Sequence, residues 1–130
     1  MLKPILICLS LLAFSSWGGA EETVSNQPVS NQPQAIEQQL RAGIQDNPQA
    51  ALPYAQLAAF LLSQGRNGEA VENYQQAIMR DPNNPALFIA IALAYLHDDH
   101  HERAMLMVQE ALRLDPDSVN GKKLLDYLKN

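Results

Sequence analysis

The chain carries Asn47-Pro48, Asp81-Pro82 and Asp115-Pro116 at one constant interval. Nothing else in the sequence constrains the fold as tightly, because a fixed period of this order means that one supersecondary unit is stacked on copies of itself. The period reaches well beyond the prolines. Tyr54, Leu57, Ala58, Leu61, Ala70, Tyr74, Ala77, Ile78 and Pro82 recur one period later as Phe88, Ile91, Ala92, Tyr95, Ala104, Val108, Ala111, Leu112 and Pro116. Only Leu61/Tyr95 and Tyr74/Val108 change in shape.

Both copies therefore read aromatic-x2-aliphatic-Ala-x2-large, then Ala-x3-large or branched, then Pro. This resembles the tetratricopeptide repeat (TPR), whose unit of about 34 residues matches the interval from Pro48 to Pro82 and from Pro82 to Pro116. Ala58 and Ala92 stand at the position of the family's small glycine, and Val108 at that of an aromatic. Val108 is expected to leave its contact less filled. The resemblance implies an all-α fold, an α-α superhelix of about six helices. Two full repeats (51–84 and 85–118) are flanked by a half repeat (34–50) and a C-terminal capping helix (119–130), so the repeat domain spans 34–130.

The amino terminus reads differently. Lys3 precedes an apolar run from Ile5 to Phe14, and Gly18-Gly19-Ala20 offers small residues before Glu21. Residues 1–20 are expected to be a cleaved secretory signal peptide. The competing reading, an uncleaved anchor, meets a run too short for the ~20 residues of a spanning helix. Cys8 follows bulky Ile7, which argues against a lipid anchor. Export to the periplasm of a Gram-negative cell is the expected localisation, with no stable membrane insertion after cleavage. Past residue 20 the chain has no cysteine and therefore no disulfide framework. Its balance is 8 basic against 14 acidic residues once Lys3 is set aside. That sign repels nucleic acid and anionic lipid. Residues 21–33 hold Val24-Ser25-Asn26-Gln27-Pro28 and then Val29-Ser30-Asn31-Gln32-Pro33, a polar tandem that reads as a flexible linker or, alternatively, a short recognition tail.

Local signals fit the repeat. Ile36, Leu40 and Ile44 form one helical stripe in phase with Ala70 and Tyr74, which makes 34–50 a second helix without its first. Gly65 is expected to end a helix in the left-handed conformation, with Asp99 in the same role one repeat later. Asn67 is expected to cap the helix that follows, and Asp117 or Ser118 the last one. The second helices are amphipathic, whereas Ala86–Leu96 has no polar side chain except the Tyr95 hydroxyl.

Catalytic chemistry has no foothold. There is no nucleophile elbow, no glycine-rich phosphate loop and no thiol past residue 20, so no enzymatic activity and no cofactor are expected. His97, His100 and His101 lie in one turn with Asp98, Asp99 and Glu102. Imidazole and carboxylate together suit zinc, copper or nickel, but adjacent turn residues rarely converge on one point, and a polar turn is the other reading. TPR ligands usually bind a concave face lined by the first helices, and the resemblance implies that this face presents Leu52, Ala55, Ala59 and Leu62, then Ala86, Ile89, Leu93 and Leu96. His97 would stand at its edge, and the capping helix would add Lys123 and Tyr127. TPR domains that grip carboxylate-terminated tails place Lys and Asn on this face, where this chain has Ala, Ile and Leu. An apolar groove suits an apolar or amphipathic protein segment. The chain is thus expected to be an exported adaptor or scaffold for a protein or peptide in envelope assembly or maturation. The alternatives are a self-associating scaffold and a metal-binding protein that uses the His-rich turn.

Overall fold

The computed structural model describes residues 32–130. The signal peptide expected at 1–20 and nearly all of the linker expected at 21–33 lie outside the described residues. Among the described residues six helices follow one another: α1 (Gln32–Asp46), α2 (Ala51–Ser63), α3 (Asn67–Arg80), α4 (Pro85–His97), α5 (His101–Leu114) and α6 (Val119–Lys129). No strand occurs among the described residues, and the fold is the all-α solenoid that the period implies. Residues Ala35–Asn130 form one compact unit. α1 begins at Gln32, slightly before its expected start, with Pro33 in the first turn, where its missing N–H costs nothing.

Connections this short force neighbouring helices to lie antiparallel. The two turns inside the full repeats close identically. Gly65 takes φ 74° and Asp99 takes φ 57°, both left-handed. Arg66 N donates to Leu61 O at 2.9 Å, and one period on His100 N donates to Tyr95 O at 2.9 Å. Each bond closes the end of the first helix onto a carbonyl of its last turn, which also accepts from Gln64 N or Asp98 N at 3.1 Å. Asn84 starts α4 by accepting from Ala86 N at 3.1 Å, with Pro85 in the first turn. Ser118 starts α6 by accepting from Gly121 N at 3.1 Å. Asn67 does not cap α3 as expected. Arg66 occupies the cap position without a side-chain bond to the helix's first backbone N–H groups, and Asn67 Nδ2 reaches across to His97 O at 3.3 Å.

The core alternates alanine and large side chains. Ala58, Ala70, Ala77, Ala92, Ala104 and Ala111 are all fully covered, which lets helix axes approach closely. One cluster gathers Tyr74, Ile91, Tyr95 and Val108 with several of these alanines, and a second gathers Leu57, Leu61 and Ala70 beneath Leu40 and Ile44. Val108 stands where the first repeat has Tyr74. It is fully buried in the cluster that holds Tyr95, the residue that replaces Leu61.

α6, the last of the described helices, changes chemistry at fixed positions. Phe88, Ala92 and Tyr95 are buried, and their counterparts one period later are the exposed Lys122, Asp126 and Lys129. A further helix could seat there only by burying three charges. Terminal repeats with a polar outer face are what a solenoid needs. No described helix is long and apolar enough to cross a membrane.

Candidate functional site: the groove between α4 and α6

α4 contributes buried Leu87, Phe88, Ile91, Ala92, Ala94 and Tyr95 to the core. Its remaining stripe, Ala86, Ile89 and Leu93, is turned out, and Leu93 keeps 43% of its surface exposed. α6 runs beside it. Together they enclose a groove of about 330 Å³ lined by Ile89, Leu93, Asn120, Lys123, Leu124 and Tyr127. A hollow of about 360 Å³ shares Ile89, Leu93 and Asn120 with it and extends to Pro85, Ala86, Asp115 and Ser118.

The structure brings Ala86, Ile89, Leu93, Lys123 and Tyr127 together, five of the eleven residues that the sequence put on this face. The other six lie elsewhere. Ala55, Leu62 and Leu96 pack against the core cluster. Leu52, at 65% exposure, and Ala59 stand open on α2 away from the groove, and His97 is exposed beyond its end. Asn120, Leu124, Asp115 and Ser118 were missed. One period on from Ala86 and Ala90 stand Asn120 and Leu124, so the repeat register held the signal for those two.

Chemically, the groove is an apolar trough with a few polar groups at its rim. Lys123 makes no ion pair among the described residues, whereas Lys122 lies 3.8 Å from Asp117. Asp115 accepts from Asp117 N at 3.2 Å. Its lining is mostly aliphatic and aromatic, which suits contact with the side chains of a chain segment.

The His-rich turn does not assemble its three histidines. His100 Nε2 lies 3.5 Å from Asp98, and its ring meets Tyr95 edge-on with centroids 6.4 Å apart. His101 Nδ1 is 3.2 Å from Asp99 O, and Arg103 lies over the Tyr95 ring at 5.8 Å. The hollow here is lined by Asp99, His100, His101, Glu102 and Arg103, without His97. Among the described residues no three His, Cys, Asp or Glu side chains are placed to hold a metal ion.

A second charged cluster, which sequence reasoning missed, joins α1 to the α2–α3 hairpin. Arg66 bonds Glu37 at 2.7 Å and Glu69 at 2.6 Å, and Arg41 bonds Glu37 at 2.7 Å. Hydrogen bonds from Arg66 hold both carboxyls below the usual range, with Arg41 adding to the effect on Glu37. The guanidinium of Arg66 is held further toward its charged form, first by Glu69 and then by Glu37.

Antiparallel helix pairs stacked in register, with a left-handed turn in each repeat and a trough between successive first helices, define a helical-repeat solenoid. The family model for the tetratricopeptide repeat matches residues 61–126, half of the chain, and the chain belongs to that family. No curated protein matches it significantly by sequence. Among solved structures it is similar to the TPR domain of Arabidopsis OM64, with a TM-score of 0.69 and 20% identity over 77% of this chain and 83% of that one. It is also similar to the second TPR domain of human RPAP3, solved with the HSP70 peptide SGPTIEEVD (TM-score 0.70, 21% identity, 78% and 84% covered). The TPR2B domain of yeast Sti1, in complex with an Hsp70 peptide, gives a TM-score of 0.66 and 24% identity over 76% and 81%.

Proposed function

We propose that this chain is an adaptor that binds a protein segment in the α4–α6 groove, with no catalysis of its own, in the bacterial envelope. The observation that carries the reading is the apolar lining by Ile89, Leu93, Leu124 and Tyr127 in a trough open to solvent. Apolar side chains left uncovered in one concave patch are what a segment with aliphatic or aromatic anchors recognises. Peptide complexes of TPR domains from human RPAP3 and yeast Sti1 support binding in general. The partner chemistry differs. The RPAP3 peptide ends Glu-Glu-Val-Asp, whereas the groove lining of Ile89, Leu93, Asn120, Leu124 and Tyr127 adds no cation to Lys123 and the chain is itself net −5. An apolar segment with at most a single acid facing Lys123 fits better than an acidic tail. Assignment to the envelope rests on Lys3, the Ile5–Phe14 run and Gly18-Gly19-Ala20 alone.

A photo-crosslinking residue in place of Tyr127, in cells, tests the reading. It should capture a protein, and Ile89→Ser with Leu93→Ser should abolish the capture while leaving the fold intact. Capture unchanged by those substitutions would remove the groove as the site. Capture of a second copy of the chain alone would make self-association the function. Intact mass of the protein from the periplasmic fraction tests export, and a mass that includes residues 1–20 would refute cleavage.

A further inference from the structure

The two joints between layers of the solenoid are built differently. At the second, α3 offers Val71, Tyr74, Ala77 and Ile78. At the first, the same positions one period earlier on α1 are Glu37, Leu40, Gly43 and Ile44. Three of the four positions lose apolar volume. α3 buries Ala70, Tyr74 and Ala77, whereas α1 has no buried residue. The surface that α1 covers is nevertheless well sealed, with Leu57 at 1% exposure and Leu61 and Ala70 at 0%. Charge replaces the missing apolar contact, since Arg66 holds Glu37 with one arm at 2.7 Å and Glu69 with the other at 2.6 Å. The second joint has no such network. His100 and Arg103 stand at the positions of Arg66 and Glu69, and Val71 and Gln75 at those of Glu37 and Arg41. Two aliphatic side chains and solvent-screened ion pairs therefore hold α1 down, and such pairs are weak holders. Elements with few buried apolar contacts open ahead of the rest of a domain.

We propose that α1 is a displaceable occupant of its seat. The seat of Leu57, Leu61, Ala70 and Arg66 is a second docking site, separate from the α4–α6 groove. Its ligand is an amphipathic helix with two aliphatic side chains one helical turn apart and a carboxylate one turn before the first. α1 itself displays this chemistry in Glu37, Leu40 and Ile44, which fill the site in the closed state. The aliphatic pair covers Leu57 and Leu61, and the carboxylate takes one arm of Arg66 while Glu69 keeps the other.

The probe is a fluorescently labelled peptide of residues 35–46, added to the full chain and followed by anisotropy. Glu37→Gln in the chain weakens the resident helix and leaves every residue of the seat in place. Apparent affinity for the peptide should then rise about three- to tenfold, because the competing intramolecular occupant is more often away. Leu40→Ser in the chain should act in the same direction by the apolar route. Glu37→Gln placed in the peptide instead should lower its capture. Circular dichroism melts of both chain variants establish that the domain stays folded. Equal capture by wild type and both variants, or no saturable capture by any of them, overturns the proposal.

Discussion

Asp99 holds φ 57° at the position where Gly65, one period earlier, holds φ 74°. The repeat demands a left-handed residue there whatever the side chain, because the closing bonds from Arg66 to Leu61 O and from His100 to Tyr95 O need that reversal. Asp99 bears a conformational cost of about 1 kcal/mol that Gly65 avoids. Asp99→Gly is expected to stabilise the protein by about 0.5 kcal/mol, the gain being trimmed by the extra freedom of glycine in the unfolded chain. Gly65→Ala should cost about 1 kcal/mol, purely through φ, since an added Cβ meets nothing within 4 Å. Urea titration of both variants checks the two signs.

Arg80 lies 3.9 Å over the Tyr54 ring and donates to Pro48 O at 2.6 Å and to Gln76 O at 2.8 Å, so it pins the end of α3 to the α1–α2 turn. One repeat later the equivalent positions hold Leu114 and Phe88, an apolar pair. Arg80→Ala is expected to cost about 1–2 kcal/mol. The swap Tyr54→Phe with Arg80→Leu, which copies the second repeat, should recover most of that loss in thermal melts.

Two helical glycines should respond oppositely to alanine. Gly43 has open space where a methyl group would stand, so Gly43→Ala should stabilise by about 0.5–1 kcal/mol through helix propensity. At Gly121 the Cβ would stand 2.8 Å from Leu112 Cδ2 and 3.3 Å from Ser118 Cβ. Overpacking wins there, and Gly121→Ala should cost about 1–3 kcal/mol. A melt of each variant decides.

Phe88 and Leu93 lie on one helix with opposite fates. Phe88 is 8% exposed and Leu93 43%. Phe88→Ala is expected to cost about 3–5 kcal/mol, a large share of the stability of a domain this size. Ile89→Ser with Leu93→Ser should leave the melting temperature much closer to wild type. If the double variant melts as low as Phe88→Ala, these side chains belong to the core and not to a binding surface.

Acid should loosen the first joint before the second. The Glu37 and Glu69 carboxyls are depressed by Arg66 in the folded state, so their contribution is present above the ordinary carboxylate range of about 4–4.5. It is lost as pH falls through the depressed folded values. Hydrogen exchange of α1 amides should therefore accelerate below about pH 4 relative to those of α4 and α5, and Glu37→Gln should flatten that difference. Uniform exchange across all helices at every pH would contradict it.

Six helices, their pairing, both left-handed turns and the alanine-lined core were legible in the repeat register, since each depends on contacts that the repeat copies from one unit to the next. The groove was half legible. Ala86, Ile89, Leu93, Lys123 and Tyr127 come together, but Ala55, Leu62 and Leu96 turn toward the core. α4 is apolar on nearly every side, so its own sequence holds no polar stripe to say which face stays open. That is decided by where α5 and α6 pack against it. Asn67 likewise reads as a cap, yet it donates to His97 O on a different helix. The Arg66–Glu37 bridge joins two elements through residues that hold no repeat-signature position. Period and residue type determine what is repeated, because local geometry and self-stacking favour the same answer at every copy. What differs between copies, such as a charge at one joint or an open face at another, was decided only when non-equivalent surfaces met in the folded stack.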